Sequence, residues 1–157
     1  MTTAIIYASK HGLTSQLAAD IADRLGPDTA VFDLGESAPP LAGFDTIVLG
    51  TPIYAGRPLA AMRSFVSRAD LRGKRVALFV TGMESDPHVK AQEARDGFPA
   101  DLVERAIAVA FLGGRFRFAS MNPIERFLIT RIKKTTQDTE TIDQAAIDGF
   151  VAALTDA

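Results

Sequence analysis

Within six consecutive residues, Ser9-Lys10-His11-Gly12-Leu13-Thr14, the chain collects two hydroxyls, an ammonium, an imidazole and a glycine. The apolar run Ala4-Ile5-Ile6-Tyr7-Ala8 precedes them, and a helical period of Leu17, Ile21 and Leu25 follows. A glycine at such a junction lets the backbone bend tightly against a ligand. The helix beyond it aims unpaired N–H groups and the positive end of its dipole at the same point. With hydroxyls from Ser9 and Thr14, the stretch has what a phosphate requires. The simpler alternative is that Thr14 caps the helix and Gly12 only turns the chain.

Two further turns carry residues suited to a ligand. In Gly50-Thr51-Pro52-Ile53-Tyr54-Ala55-Gly56-Arg57-Pro58, glycines permit close approach and prolines stiffen the path. Tyr54 can stack on a planar ring while backbone groups nearby bond ring heteroatoms, or it can fold back over the following helix. In Thr81-Gly82-Met83, Gly82 again allows close approach. Residues 84–98 are charged and weakly periodic, which predicts a long loop or loose helix beside the site, either a lid or a solvated excursion.

The elements that must position these turns are legible in the hydrophobic pattern. Short apolar runs at 4–8, 30–34, 46–49, 76–80 and 107–112 predict five strands, most of them apolar at consecutive positions, as strands covered on both faces must be. Helical patterns lie between them. The first ends at Gly26-Pro27. Pro58 opens a second, carrying Leu59, Met62, Phe65, Val66 and Ala69, with Gly73 beyond it, and Pro99 opens another with Leu102, Val103 and Ala106. After the fifth strand, Asn122-Pro123 begins a segment with Ile124, Phe127, Leu128 and Ile132, and 135–140 is a polar separator. A possible capping box, Thr141 to Gln144, starts a closing helix with Ala146, Phe150 and Leu154. The order β-α-β-β-α-β-α-β predicts one α/β domain over 1–157, a five-stranded parallel sheet of order 2-1-3-4-5 between two helical layers. Ligands in such sheets bind beyond the carboxyl ends of the strands at the switch point, where the three turns fall.

Composition removes other classes. Seventeen Lys and Arg against 19 Asp and Glu give a formal charge of −2, so there is no general attraction to nucleic acid. The absence of cysteine excludes disulfides, thiolate catalysis and cysteine-held iron–sulfur clusters, and fits a cytoplasmic setting. His11 and His88 have no ligand-spaced partners for zinc, and no Walker A lysine or nucleophile-elbow serine motif occurs. The start has no basic leader, and no apolar run is long enough to span a bilayer. Asp33 reads as a strand-end polar residue, since the glycine fingerprint of dinucleotide folds is missing.

The stretch Ser9 to Thr14 resembles the flavodoxin phosphate loop, a Ser/Thr-x-x-Gly-x-Thr pattern that binds FMN, and Thr51-Pro52-Ile53-Tyr54 resembles the second flavin loop of that superfamily. The likeness implies a flavodoxin-like three-layer sandwich. It further implies that Ser9, Lys10, His11, Gly12, Leu13 and Thr14 hold the phosphate, and that Thr51, Pro52, Ile53, Tyr54, Ala55 and Gly56 with Thr81, Gly82 and Met83 hold the isoalloxazine. Gly113-Gly114-Arg115-Phe116, the stretch from Pro123 to Lys134 and Asp138-Thr139-Glu140-Thr141 are similar to the menaquinone-dependent protoporphyrinogen IX dehydrogenase family. That resemblance implies an FMN-dependent oxidoreductase of haem biosynthesis, passing electrons from a porphyrinogen through FMN to a quinone, with no single catalytic side chain assigned. The basic segment from Arg115 to Lys134, with Phe116, Phe118 and Phe127 interleaved, would then meet an acidic lipid surface or porphyrin carboxylates, or else form a packed helix with a solvated side. A flavodoxin electron carrier, an FMN-dependent NAD(P)H:quinone reductase and a scaffold without flavin remain as alternatives. Carriers are strongly acidic, which a charge of −2 is not.

Overall fold

Strands that are apolar at every position need cover on both faces, and helices supply it here. The computed structural model describes residues 2–10, 12–37, 39–54, 56–84, 86–116, 123–124 and 139–156. Along the chain these form β1 (Thr3–Tyr7), α1 (Leu13–Leu25), β2 (Thr29–Asp33), β3 (Thr46–Tyr54), β4 (Arg57–Pro58), α2 (Ala60–Arg68), β5 (Arg75–Thr81), α3 (Pro87–Asp96), α4 (Ala100–Arg105), β6 (Ala108–Phe116), β7 (Thr139–Ile142) and α5 (Gln144–Asp156). One sheet runs β2-β1-β3-β5-β6-β7, with β4 beside β3. The pairs β1–β2, β1–β3, β3–β5 and β5–β6 are parallel, which is the expected 2-1-3-4-5 order; β4 and β7 are antiparallel additions.

Alternate residues of each strand feed different cores. Ala4, Ile6, Ile47, Leu49, Leu78 and Val80 join Met62 and Phe65 of α2, Ala94 of α3 and Leu102 of α4. Ile5, Tyr7, Val48, Ala77 and Phe79 join Leu13, Leu17 and Ile21 of α1 and Ile147, Phe150 and Leu154 of α5. This two-sided cover makes the fold an α/β flavodoxin-like sandwich. Gly26, at φ 100°, ends α1 where the sequence predicts, its N–H bonding Ala22 O at 3.1 Å. Among the described residues no helix is long and apolar enough to cross a membrane.

Several boundaries differ from the sequence expectation. The turn expected from Gly50 is strand through Tyr54, which then folds back through β4. Pro52 is tolerated inside β3 because Gly50 O accepts Ala8 N–H on the β1 side, so the nitrogen of Pro52, two residues on, faces that same side, where pairing has ended at Gly50. Pro58 therefore lies in β4, and α2 begins at Ala60 with Leu59 as its N-cap. Of the two alternatives expected for 84–98, a long loop or a loose helix, residues 87–96 take the helical one as α3, capped by Asp86, whose carboxylate accepts from His88 N–H at 2.8 Å, with Pro87 in the first turn. The closing helix is capped by Asp143, not Thr141: its carboxylate accepts from Ala146 N–H at 2.9 Å, while Thr141 belongs to β7. Pro123 and Ile124 are exposed, Ile124 at 72%, and the rest of the segment expected from Asn122 lies outside the described residues.

Gly50 faces Phe79 across the β3–β5 register. A Cβ on Gly50 would run into the Phe79 ring, which is fully buried and set edge-on to Phe150 at 5.8 Å between centroids. Gly50→Ala is expected to destabilise the fold by about 1–3 kcal/mol through overpacking, read from the urea midpoint; an unchanged midpoint would contradict this packing.

Candidate functional site

The turn after β1 is fixed from within. Ser9 Oγ accepts the Gly12 N–H at 3.1 Å, and Gly12 is the N-cap of α1 at φ 91°, ψ −12°, a left-handed conformation that favours glycine. The helical ladder starts with Gln16 N–H to Gly12 O at 3.0 Å, so the N–H groups of Leu13, Thr14 and Ser15 precede it and have no acceptor inside the helix. These donors and the dipole can hold an anion at the carboxyl end of β1. Thr14 is not the cap, which is Gly12. The threonine is 2% exposed, and its hydroxyl lies 3.1 Å from that of Thr81, itself 3% exposed, at the end of β5. Ser15 donates to the Tyr7 hydroxyl at 3.2 Å, tying the first turn of α1 to the end of β1.

The turn after β3 begins from a buried base. Thr51 is fully buried; its hydroxyl accepts from Leu59 N–H and donates to Pro52 O, both at 3.2 Å, and so fixes the approach to α2. Pro52 and Ile53 are buried strand residues. Tyr54 is half-buried, and Gly56, at φ 75°, turns the chain into β4. The Lys10 ammonium stands over the Tyr54 ring, 5.3 Å from its centroid, joining the first turn to the second by a cation–π contact. One face of Tyr54 is thus covered by Lys10, so a planar ligand must take the other face or displace the ammonium.

The turn after β5 rests on a feature the sequence reading did not assign structurally. Between Val80–Phe111 and Thr81–Gly113 the β5–β6 register shifts, leaving Leu112 as the extra residue of a bulge. Gly113 follows at φ 143°, and its carbonyl accepts the Gly82 N–H at 3.0 Å. A Cβ on Gly114 would run into the Gly82 carbonyl. The pair Gly113-Gly114 therefore lets β6 press against the third turn and hold Gly82; adjacent glycines at a strand end were the available signal. Met83 is half-buried beside it. His11 and Ala55 lie outside the described residues, and among the described residues no three His, Asp or Glu side chains gather as metal ligands. Asp33 turns its carboxylate onto Gly35 N–H at 2.7 Å, as a strand-end residue would.

An open, mostly parallel sheet whose switch-point turns present a helix N-terminus, an aromatic hairpin tip and a bulge-backed glycine defines a ligand-binding α/β domain. Residues 4–143 match the family model described as a flavodoxin domain, and the chain belongs to that family. A Fusobacterium nucleatum flavodoxin solved with flavin mononucleotide is 23% identical at TM-score 0.53, the match covering 67% of this chain and 66% of that one. A mutant flavodoxin from the same organism, also bound to flavin mononucleotide, is 28% identical at TM-score 0.47 over 52% of this chain and 51% of that one, about half its length. A WrbA-like flavodoxin from Agrobacterium tumefaciens is 18% identical at TM-score 0.48, covering 68% and 81%. Comparison with curated proteins gives no match.

Gly114→Ala is expected to push the third turn off β6. Amide exchange at Gly82 should quicken by at least about tenfold, the equivalent of about 1.4 kcal/mol of local stability. Exchange at the native rate would remove Gly114 as the support of that turn.

Proposed function

We propose that this chain is an FMN-binding redox protein, holding the flavin phosphate in the turn after β1 and the isoalloxazine between the turns after β3 and β5. The observation that carries this reading is the left-handed Gly12 N-cap, with the first-turn N–H groups of α1 unspent at the switch point of the sheet. The residues fit the group. Leu13, Thr14 and Ser15 donate N–H groups to phosphate oxygens, and Gly12 has no Cβ to obstruct them. Lys10, on the same turn, holds its ammonium over Tyr54. Membership of the flavodoxin domain family supports FMN as the cofactor.

When bound, FMN supplies electron and hydride transfer that no side chain of this protein can perform, and the protein supplies position and electrostatics. Tyr54 offers the isoalloxazine an aromatic face, and Gly82 and Met83 border it from the third turn. Thr51 acts one step away, since its hydroxyl is spent on Leu59 and Pro52. Within this role the sequence likeness of Gly113 to Phe116 and of Pro123 to Lys134 favours oxidation of a porphyrinogen with a quinone as acceptor. The basic residues Arg126, Arg131, Lys133 and Lys134 would face the anionic membrane that holds the quinone.

Gly12→Val tests the phosphate assignment. A β-branched residue is strained at φ 91° and narrows the turn, so FMN affinity should fall at least about tenfold, or 1.4 kcal/mol, while circular dichroism reports a folded chain. Native affinity in that variant would remove the assignment. The substrate is tested by anaerobic addition of protoporphyrinogen to the FMN-loaded protein, followed by a menaquinone analogue. Flavin bleaching and then recovery is the expected result; a flavin inert to the porphyrinogen would leave the redox role without this substrate.

A further inference from the structure

The hydroxyl pair of Thr14 and Thr81 has an unequal proton count. The two oxygens lie 3.1 Å apart and share one hydrogen bond, in which either can be the donor, yet each hydroxyl carries a hydrogen. Both residues are more than nine-tenths buried, and among the described residues neither hydroxyl has a second partner. Each oxygen thus has one partner, and one of the two hydroxyl protons is not used between them. Where that proton sits depends on which hydroxyl donates.

We propose that Thr81 is a positioning residue for the flavin phosphate: it donates its hydroxyl proton to Thr14 Oγ1, and so turns the Thr14 proton towards a phosphate oxygen. This rests on the FMN reading above. Thr14 is the second residue of α1, beside the N–H groups that precede the helical ladder, so an anion held there selects the polarity in which Thr14 is the outward donor. Thr81 then has one hydrogen bond to make and makes it to Thr14. A chain of two hydroxyls ending on an anion polarises in one direction, which strengthens the terminal bond. Without Thr81, the Thr14 hydroxyl loses the donor that fixes its direction and is free to rotate away from the phosphate. The residue at the end of β5, 67 positions away, would thereby tune the phosphate loop rather than touch the isoalloxazine.

The test compares two flavins that differ only in the phosphate. Apoprotein is titrated with FMN and with riboflavin, following flavin fluorescence, for the native chain, Thr81→Val and Thr81→Ser. Thr81→Val should weaken FMN about tenfold and leave riboflavin within about twofold of native, and Thr81→Ser should restore FMN binding. Equal losses for both flavins, or no loss of FMN affinity, would overturn the proposal and leave the pair as a packing contact. Should Thr81→Val fail to fold, Thr81→Ala read the same way replaces it. If the native chain binds no FMN, the cofactor reading fails and this inference with it; FMN binding that ignores residue 81 sinks the inference alone.

Discussion

The central strands have no wet face. β1, β3 and β5 are covered by α1 and α5 on one side and by α2, α3 and α4 on the other, so their side chains are buried except at Tyr54 and Arg75, at the strand ends. Polar chemistry can then occur only where the strands run out. The parallel arrangement brings the carboxyl ends of β1, β3 and β5 to one edge, and the reversal of winding between β1 and β3 opens a crevice there. The location of the candidate site is thus a consequence of burial, settled before any functional side chain is considered.

What sets the site apart is that its three turns are joined to one another. Lys10 reaches over Tyr54, tying the first turn to the second, and Thr14 meets Thr81, tying the first to the third. The third is held in turn by the bulge at Leu112 and the glycines after it. A ligand entering this crevice meets a frame whose parts cannot shift independently, which lowers the ordering cost of binding. Buried hydroxyls are dear unless satisfied, so Thr51 and the Thr14–Thr81 pair restrict the backbone to arrangements that keep their bonds.

The main architecture was legible because burial writes itself into the pattern. Consecutive apolar residues marked all five parallel strands, and Gly12 between a strand and a helical period marked the turn after β1. Other features left a weaker trace. α3 buries only Ala94 and so lacks an apolar stripe; its signal was the Asp86-Pro87 cap, a local cue that a charged composition obscured. β7, Thr-Glu-Thr-Ile, has three β-branched residues but is a four-residue polar strand without an apolar run, and it pairs antiparallel with the end of β6. The contact of the Thr14 hydroxyl with Thr81 was beyond any local reading, because that partner lies on a strand 67 positions away. The hairpin after Tyr54 was hidden for a related reason: prolines read as turn punctuation, yet the nitrogen of Pro52 faces the β1 side after that ladder has ended, where no N–H is required.

The most direct test of the account is a fluorescence titration of the flavin-stripped protein with FMN, with the retained flavin identified after gel filtration. The account predicts saturable binding of one FMN per chain. An isolated protein that retains no FMN and leaves the fluorescence of added FMN unaltered would contradict it, and would mean that the turn from Ser9 to Thr14 serves the fold alone.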